Sequence, residues 1–269
     1  MHANRRAFCT QKYIGFFDSG IGGLTLLAEC VRRMPEERFI YLGDNDRAPY
    51  GNRPQREIKE FVFQGFSLLS AYPLKGGVIA CNTATAVAAE ALRETVPFPV
   101  LGVEPAVRPA LLSGAERVLV LATRATVSSP RFAALCARCG GRVFAYAPEH
   151  LARAIEEHIF TPEEIDLRRH LPRLRCDAVV LGCTHYIFLR REIAAFYGCR
   201  TYDGNEGTAK RLASVVRAGS GRGADFGRAD HFAKNTNICS KIDKKTLKNS
   251  VIFLGSAKNK NKKVFLSLF

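Results

Sequence analysis

The sequence predicts an α/β protein: two similar α/β domains with mostly parallel sheets, related by a pseudo-twofold, and a site in the cleft between them. Three observations carry this. Short, nearly continuous apolar β-type runs alternate with helical patterns along most of the 269 residues, as parallel strands covered on both faces require. The segments KGGVIACNTAT (75–85) and CDAVVLGCTHY (176–186) share one design: an apolar strand, a cysteine, small polar residues, then a helix. A second echo relates YIGFFDSGIGG (13–23) to RVLVLATRATVSS (117–129), again a strand ending in small polar residues. Repeated units of this kind point to two halves, each offering the carboxyl end of its sheet.

In chain order, strands are expected at Tyr13 to Phe17, Phe39 to Leu42, Val78 to Ala80, Val118 to Leu121 and Ala178 to Leu181. Leu24, Leu27, Ala28 and Val31 mark one amphipathic helix; Ala209, Leu212, Ala213 and Val216 mark another, closed by Gly219. Thr161, Pro162 and Glu164 read as a helix start with a capping box and proline in the first turn. Boundary candidates are PFPVLGVEP (97–105) and TYDGNEG (201–207), giving a first domain over 1–100, a second over 101–205, and a C-terminal return segment with a basic tail over 206–269. Within that tail, 218–235 reads as a flexible linker, followed by a strand pair at Val251–Leu254 and Val264–Leu268.

Composition excludes several classes. Hydrophobic residues make up 47% of the chain and charged residues 24%, enough apolar material for a full core. No apolar run approaches the roughly 18 residues of a membrane span, so no membrane partner is expected. The N-terminal residues carry arginines without an apolar stretch and do not read as a secretory signal. The nine cysteines, an odd number, read as reduced thiols of a cytoplasmic protein. The net charge of +15 is uneven: the residues from Arg217 onward hold 12 Lys/Arg against 3 Asp/Glu. The excess thus lies in a tail rather than in a stripe across the folded body, so a solvated surface is favoured over a nucleic-acid partner.

Cys81 and Cys183 are the sharpest chemical signal. A cysteine between strand and helix sits near the helix's positive end, where thiolate formation is favoured, and a free thiol near pKa 8.5 needs only a modest shift to act as a base. A single such cysteine would read as a small buried hydrophobe. Two at equivalent places suit proton removal from one face of a carbon and delivery to the other, which is racemisation or epimerisation. The C-x-x-C at Cys136 and Cys139 lies on the apolar face of a short helix and reads as core rather than zinc site. Asp18-Ser19-Gly20-Ile21-Gly22-Gly23 is a glycine-rich turn without dinucleotide-fingerprint spacing; its N–H groups can approach a small anion, and Asp18 can accept a proton or hold an ammonium. Tyr50 and Gly51 sit in a loop, and His185 stands two residues past Cys183, placed to act as acid, base or charge partner.

FFDSGIGGLTLL (16–27), YLGDNDRAPYG (41–51), ACNTATA (80–86) and LGCTHY (181–186) together resemble the motifs of the glutamate racemases, in the aspartate/glutamate racemase superfamily; PVLGVEPAV (99–107) does too. The resemblance spans roughly residues 13 to 215. It implies a cofactor-independent isomerase that interconverts L- and D-glutamate for peptidoglycan synthesis, as a homodimer with the active site between two α/β domains. By the same resemblance Cys81 and Cys183 are the two bases. Asp18, Ser19, Tyr50, Gly51, Asn82, Thr83, Thr184 and His185 match substrate-binding positions, and Asp18 and His185 assist the thiols. The family also carries a catalytic glutamate in the second domain; Glu149, Glu156 and Glu157 are available, and Glu156 is the choice. No lysine lies in the four motifs to anchor pyridoxal phosphate, and no metal is called for. An aspartate-directed racemase and a nucleic-acid or protein partner for the basic tail are the alternatives.

Overall fold

The computed structural model describes residues 12–220 and 251–268. Two parallel sheets organise the chain. The first has the order β4-β3-β1-β2-β9, built from Tyr13–Asp18 (β1), Phe39–Gly43 (β2), Leu74–Ile79 (β3), Val100–Gly102 (β4) and Val251–Leu254 (β9). The second has the order β6-β5-β7-β8, from Val118–Ala122 (β5), Val143–Tyr146 (β6), Ala178–Gly182 (β7) and Arg200–Asp203 (β8). All seven strand pairs are parallel. The five expected strands are present. The sequence signal missed β4, β6 and β8: β4 has only three residues, and β6 and β8 are edge strands with half-exposed side chains, so none shows a continuous apolar run.

The core of the first sheet splits by strand alternation. Ile14, Phe16, Phe39 and Tyr41 face one side with Leu24–Arg33 (α1) and Asn205–Ser220 (α9); Tyr13, Phe17, Ile40 and Ile79 face the other with Gln55–Leu69 (α2) and Asn82–Arg93 (α3). The second sheet is covered in the same way. Leu119, Leu121, Val179 and Leu181 pack with Leu151–Glu157 (α7) and Arg190–Tyr197 (α8). Val118, Val120 and Val180 pack with Val107–Leu112 (α4) and Pro130–Ala137 (α6). Between β5 and α6 lies the single turn Arg124–Val127 (α5). Ser129 caps α6 at the Phe132 N–H, and Cys136 and Cys139 join the surrounding core, as their spacing suggested.

Four expectations change. The helix α9 runs to Ser220, past Gly219. The segment Pro162–Glu164 is a single 3₁₀ turn, not a helix start: the Thr161 hydroxyl lies 3.5 Å from His158 Nδ1 and the Glu164 carboxylate takes the same ring, so both halves of the capping box are diverted. Val251–Leu254 is a strand, but its partner is β2 (Phe39 with Val251 through Leu42 with Leu254). Val264 to Leu268 falls not in a strand but in and just after the helix Lys258–Leu266 (α10). Asn261, Val264 and Phe265 are its buried positions, an i, i+3, i+4 face hidden in sequence by the surrounding lysines. The linker reading of 218–235 falls, from residue 221, outside the described residues. No described helix is long and apolar enough to cross a membrane.

The C-terminal strand and helix are part of the core. Phe253 packs its ring 6.1 Å from that of Tyr41 and 5.6 Å from that of Phe265. Replacing it with alanine empties a ring-sized volume at this seam, so Phe253→Ala is expected to lower unfolding free energy by about 3–5 kcal/mol, measured by urea denaturation followed by circular dichroism.

Candidate active site

Strand order places the site. In the first sheet β1 leads outward to β2 on one side and lies beside β3 on the other; in the second, β5 stands likewise between β6 and β7. Ligands of open parallel sheets bind at such switch points, beyond the carboxyl ends of the strands. Asp18 ends β1, Cys81 follows β3, Thr123 follows β5 and Cys183 follows β7, so the four meet where the two sheets approach.

The glycine-rich turn makes that approach possible. A Cβ on Gly22 would stand 2.5 Å from Thr184 Oγ1 and 2.8 Å from His185 Nδ1, and one on Gly20 would run into the Glu156 carboxylate. The anions held by the turn are the protein's own. Gly20 N–H donates to Asp18 Oδ1 at 2.8 Å, and Ile21 N–H donates to Glu156 Oε1 at 2.9 Å.

The two thiols have different neighbours. Cys81 is the N-cap of α3: its sulfur accepts from Ala84 N–H at 3.5 Å, and the Ser19 hydroxyl lies 3.5 Å away. The helix end was expected to favour the thiolate. Instead burial, then the Asp18 charge, push this thiol up to about 11 against the donors' pull. Cys183 is followed by a 3₁₀ segment, Thr184–Leu189, rather than directly by an α-helix, and caps no N–H. Its sulfur lies 3.8 Å from His185 Nδ1, and His185 Nε2 lies 2.9 Å from Glu156 Oε1. Both cysteines are buried, each residue 6% exposed. A cavity of about 790 Å³ lined by Thr25, Arg32, Phe188, Arg190, Asp203 and Lys210 reaches neither thiol.

Three ionisable groups share this buried space. Burial alone would lower the basicity of His185; hydrogen bonds and charges from Cys183 and Glu156 outweigh it and raise its pKa well above the ordinary imidazole value. Burial disfavours the Glu156 anion, yet His185, the Ile21 N–H and Lys260 together lower it to about 2. The pair is thus carboxylate and imidazolium at neutral pH. Asp18 is fully buried, and desolvation raises it to about 6 although the His185 charge and the Gly20 and Gly23 amides oppose the shift. Its Oδ2 makes no hydrogen bond.

The remaining expected residues divide. Ser19, Thr184 and Gly22 line the contact between the two strand ends. Thr83 reaches across, its Oγ1 2.7 Å from Thr123 Oγ1, which is itself 2.9 Å from Thr126 Oγ1. Gly51 lies against Thr123, where a Cβ would come within 2.9 Å. The hydroxyl of Tyr50 is committed to Asp44, and Asn82 Nδ2 donates to Val103 O at 3.2 Å. Of the three glutamates, Glu156 meets His185, Glu149 pairs with Arg124 and Glu157 faces solvent. Sequence reasoning did not single out Thr123, Thr126, Tyr41 (whose hydroxyl donates to Gly20 O at 2.9 Å) or Lys260. Thr123 had a signal, its place directly after a strand; Lys260 had none, being one lysine among many. Among the described residues no group of three or more His, Cys, Asp and Glu could hold a metal ion.

Two buried thiols on matched strand ends, with acid–base groups beside each, define a class of protein: isomerases that exchange a proton across a carbon centre. A family model described as Asp/Glu/Hydantoin racemase matches residues 24–212. Glutamate racemase of Clostridium novyi (strain NT) is 37% identical over 214 residues, 76% of this chain and 83% of the relative. Among solved structures, glutamate racemase from Campylobacter jejuni subsp. jejuni aligns with TM-score 0.72 and 26% identity over 96% of this chain and 99% of that one. Escherichia coli glutamate racemase, in complex with L-glutamate and the activator UDP-MurNAc-ala, aligns with TM-score 0.68 and 32% identity over 77% and 83%. The chain belongs to the Asp/Glu/hydantoin racemase family.

Asp18 gives a linkage prediction. Its carboxyl holds a proton more tightly in the folded state, at about 6 against 3.8. The folded state is therefore favoured below pH 4, and ionisation costs it about 3 kcal/mol once the pH exceeds 6. Asp18→Asn removes that cost. Its melting temperature should exceed that of the parent at pH 7.5, the gap closing as the pH falls toward 4 in calorimetric scans.

Proposed function

We propose that the chain is a glutamate racemase that interconverts L- and D-glutamate without a cofactor, by deprotonation of Cα at one thiol and reprotonation at the other, and so supplies D-glutamate for peptidoglycan. One observation carries the mechanism. Cys81 and Cys183 occupy matched places past β3 and β7, and each has its own proton-handling neighbours. A planar carbanion held between two such sulfurs can be protonated on either face.

In one direction a thiolate at Cys183 takes the Cα proton and the Cys81 thiol returns its own; in the other direction the roles exchange. The His185 ring stands 3.8 Å from the Cys183 sulfur, within reach to exchange a proton with it. Cys81, with its thiol pushed up to about 11, holds its proton at rest, and Asp18 and Ser19 are the groups next to it through which the proton moves. Asp18 Oδ2, without a partner, is an acceptor for the substrate ammonium. The Ser19, Thr83, Thr123 and Thr184 side chains and the amides of the glycine-rich turn are donors for carboxylate oxygens and for the charge that develops beside Cα. Closure around the substrate keeps water from competing as an acid. The free thiols among the described residues suit the reducing cytoplasm.

The test is chiral analysis of L-glutamate incubated with the pure protein in deuterium oxide, without added cofactor. D-glutamate labelled with deuterium at Cα is the expected product. Cys81→Ser and Cys183→Ser should each lower turnover by about 10²–10⁴-fold, because an alcohol is a much weaker base than a thiolate. Near-normal turnover in either variant contradicts the two-thiol scheme.

A further inference from the structure

The helix α10 carries Lys258, Lys260, Lys262 and Lys263, a run that reads in sequence as solvated tail. Lys260 is different. Its Nζ donates to the Glu156 backbone oxygen at 2.7 Å and lies 3.2 Å from Glu156 Oε2. The other oxygen, Oε1, is the one that meets His185 Nε2 and the Ile21 N–H. The two oxygens of one carboxylate are thus divided between the C-terminal helix on one side and the imidazole beside Cys183 on the other.

The lysine is held in register by its neighbours. Asn261 is fully buried and donates to Asn45 Oδ1 at 2.9 Å, Val264 and Phe265 are core, and β9 fixes the start of the segment along β2. The Lys260 side chain is 36% exposed and Glu156 12%, so the contact is shielded on the carboxylate side and open on the ammonium side. The family model's own match ends at residue 212, before this helix begins.

We propose that Lys260 is a positioning residue for racemisation: by clamping Glu156 from the C-terminal helix it holds His185 against Cys183 and sets the rate of proton transfer at that thiol. The inference rests on the two-thiol reading above. A carboxylate anchored at one oxygen can turn about its terminal bond and let the imidazole swing; anchored at both, it fixes the ring. Lys260 meets the site through Glu156, so its removal should slow proton transfer rather than weaken binding.

Lys260→Met keeps the aliphatic stem and removes the donor and the charge. It is assayed with L- and D-glutamate, each with hydrogen or deuterium at Cα. The expected result is a fall in kcat of about tenfold, the loss of one charged hydrogen bond, with KM held within about twofold and the melting temperature lowered by no more than a few degrees. Only steps at Cys183 are slowed. The Cα-deuterium isotope effect on kcat/KM should therefore rise for the enantiomer deprotonated by Cys183 and fall for the other. Lys260→Arg should restore most of the rate, and Lys260→Gln should show the same split at smaller amplitude. A Lys260→Met enzyme as fast as the parent overturns the inference. So does a slower one whose two isotope effects stay together, because a general loosening of the site has no preferred face. A parent protein that racemises neither enantiomer refutes the underlying reading instead, and that is decided before any variant is measured.

Discussion

The turn after β1 must lie in contact with the second half of the molecule, and the rest of the site depends on that contact. Backbone alone fits there: Gly20 and Gly22 leave the volume into which Glu156, Thr184 and His185 fit. The same closeness lets the Ile21 amide reach Glu156 and leaves Asp18 in the joint with no exposure to water. With a side chain at Gly22 the two strand ends would separate, and the His185 pair would become solvated. The low-dielectric joint is therefore a product of missing atoms as much as of the polar groups around it.

What the joint holds is expensive and balanced. Two carboxylates and an imidazole are removed from water together; Glu156 is offset by His185, Lys260 and the Ile21 N–H, and His185 by Glu156. Asp18 is left over, with its proton held to about 6. That imbalance is useful for chemistry, because a group poised near neutrality gives and takes protons readily. The two sheets, whose central strands are buried on both faces, supply the stability that lets the joint remain strained in its charges.

Legibility followed burial. The central strands β1, β2, β3, β5 and β7 were readable because both faces are covered and the apolar run is unbroken; β4, β6 and β8 were not, being short or half-exposed. The thiols and Asp18 were readable because each closes such a strand. Glu156 was one of three carboxylates, and choosing among them needs the phase of α7, in which Ile155 turns inward and Glu156 lies beside the joint. Tyr50 and Asn82 were legible as site residues in sequence; in the structure the Tyr50 hydroxyl meets Asp44 and Asn82 Nδ2 donates to Val103 O. α10 was hidden because lysine supplies four of its first six residues and asparagine the other two, and its buried face shows only once the helix is seen.

The strand β9 pairs Val251 with Phe39 and brings α10 back beside the first half of the chain. During synthesis, then, the first sheet receives this outer strand only after both thiol-bearing segments have been made, and a contact this distant in sequence is slow to form. A nascent chain holding both thiols would still lack the edge of its sheet and the lysine that reaches Glu156. Topology thus ties the surroundings of the thiols to a segment made long after them, so that a fragment ending before β9 carries both cysteines without the strand and helix that reach Glu156.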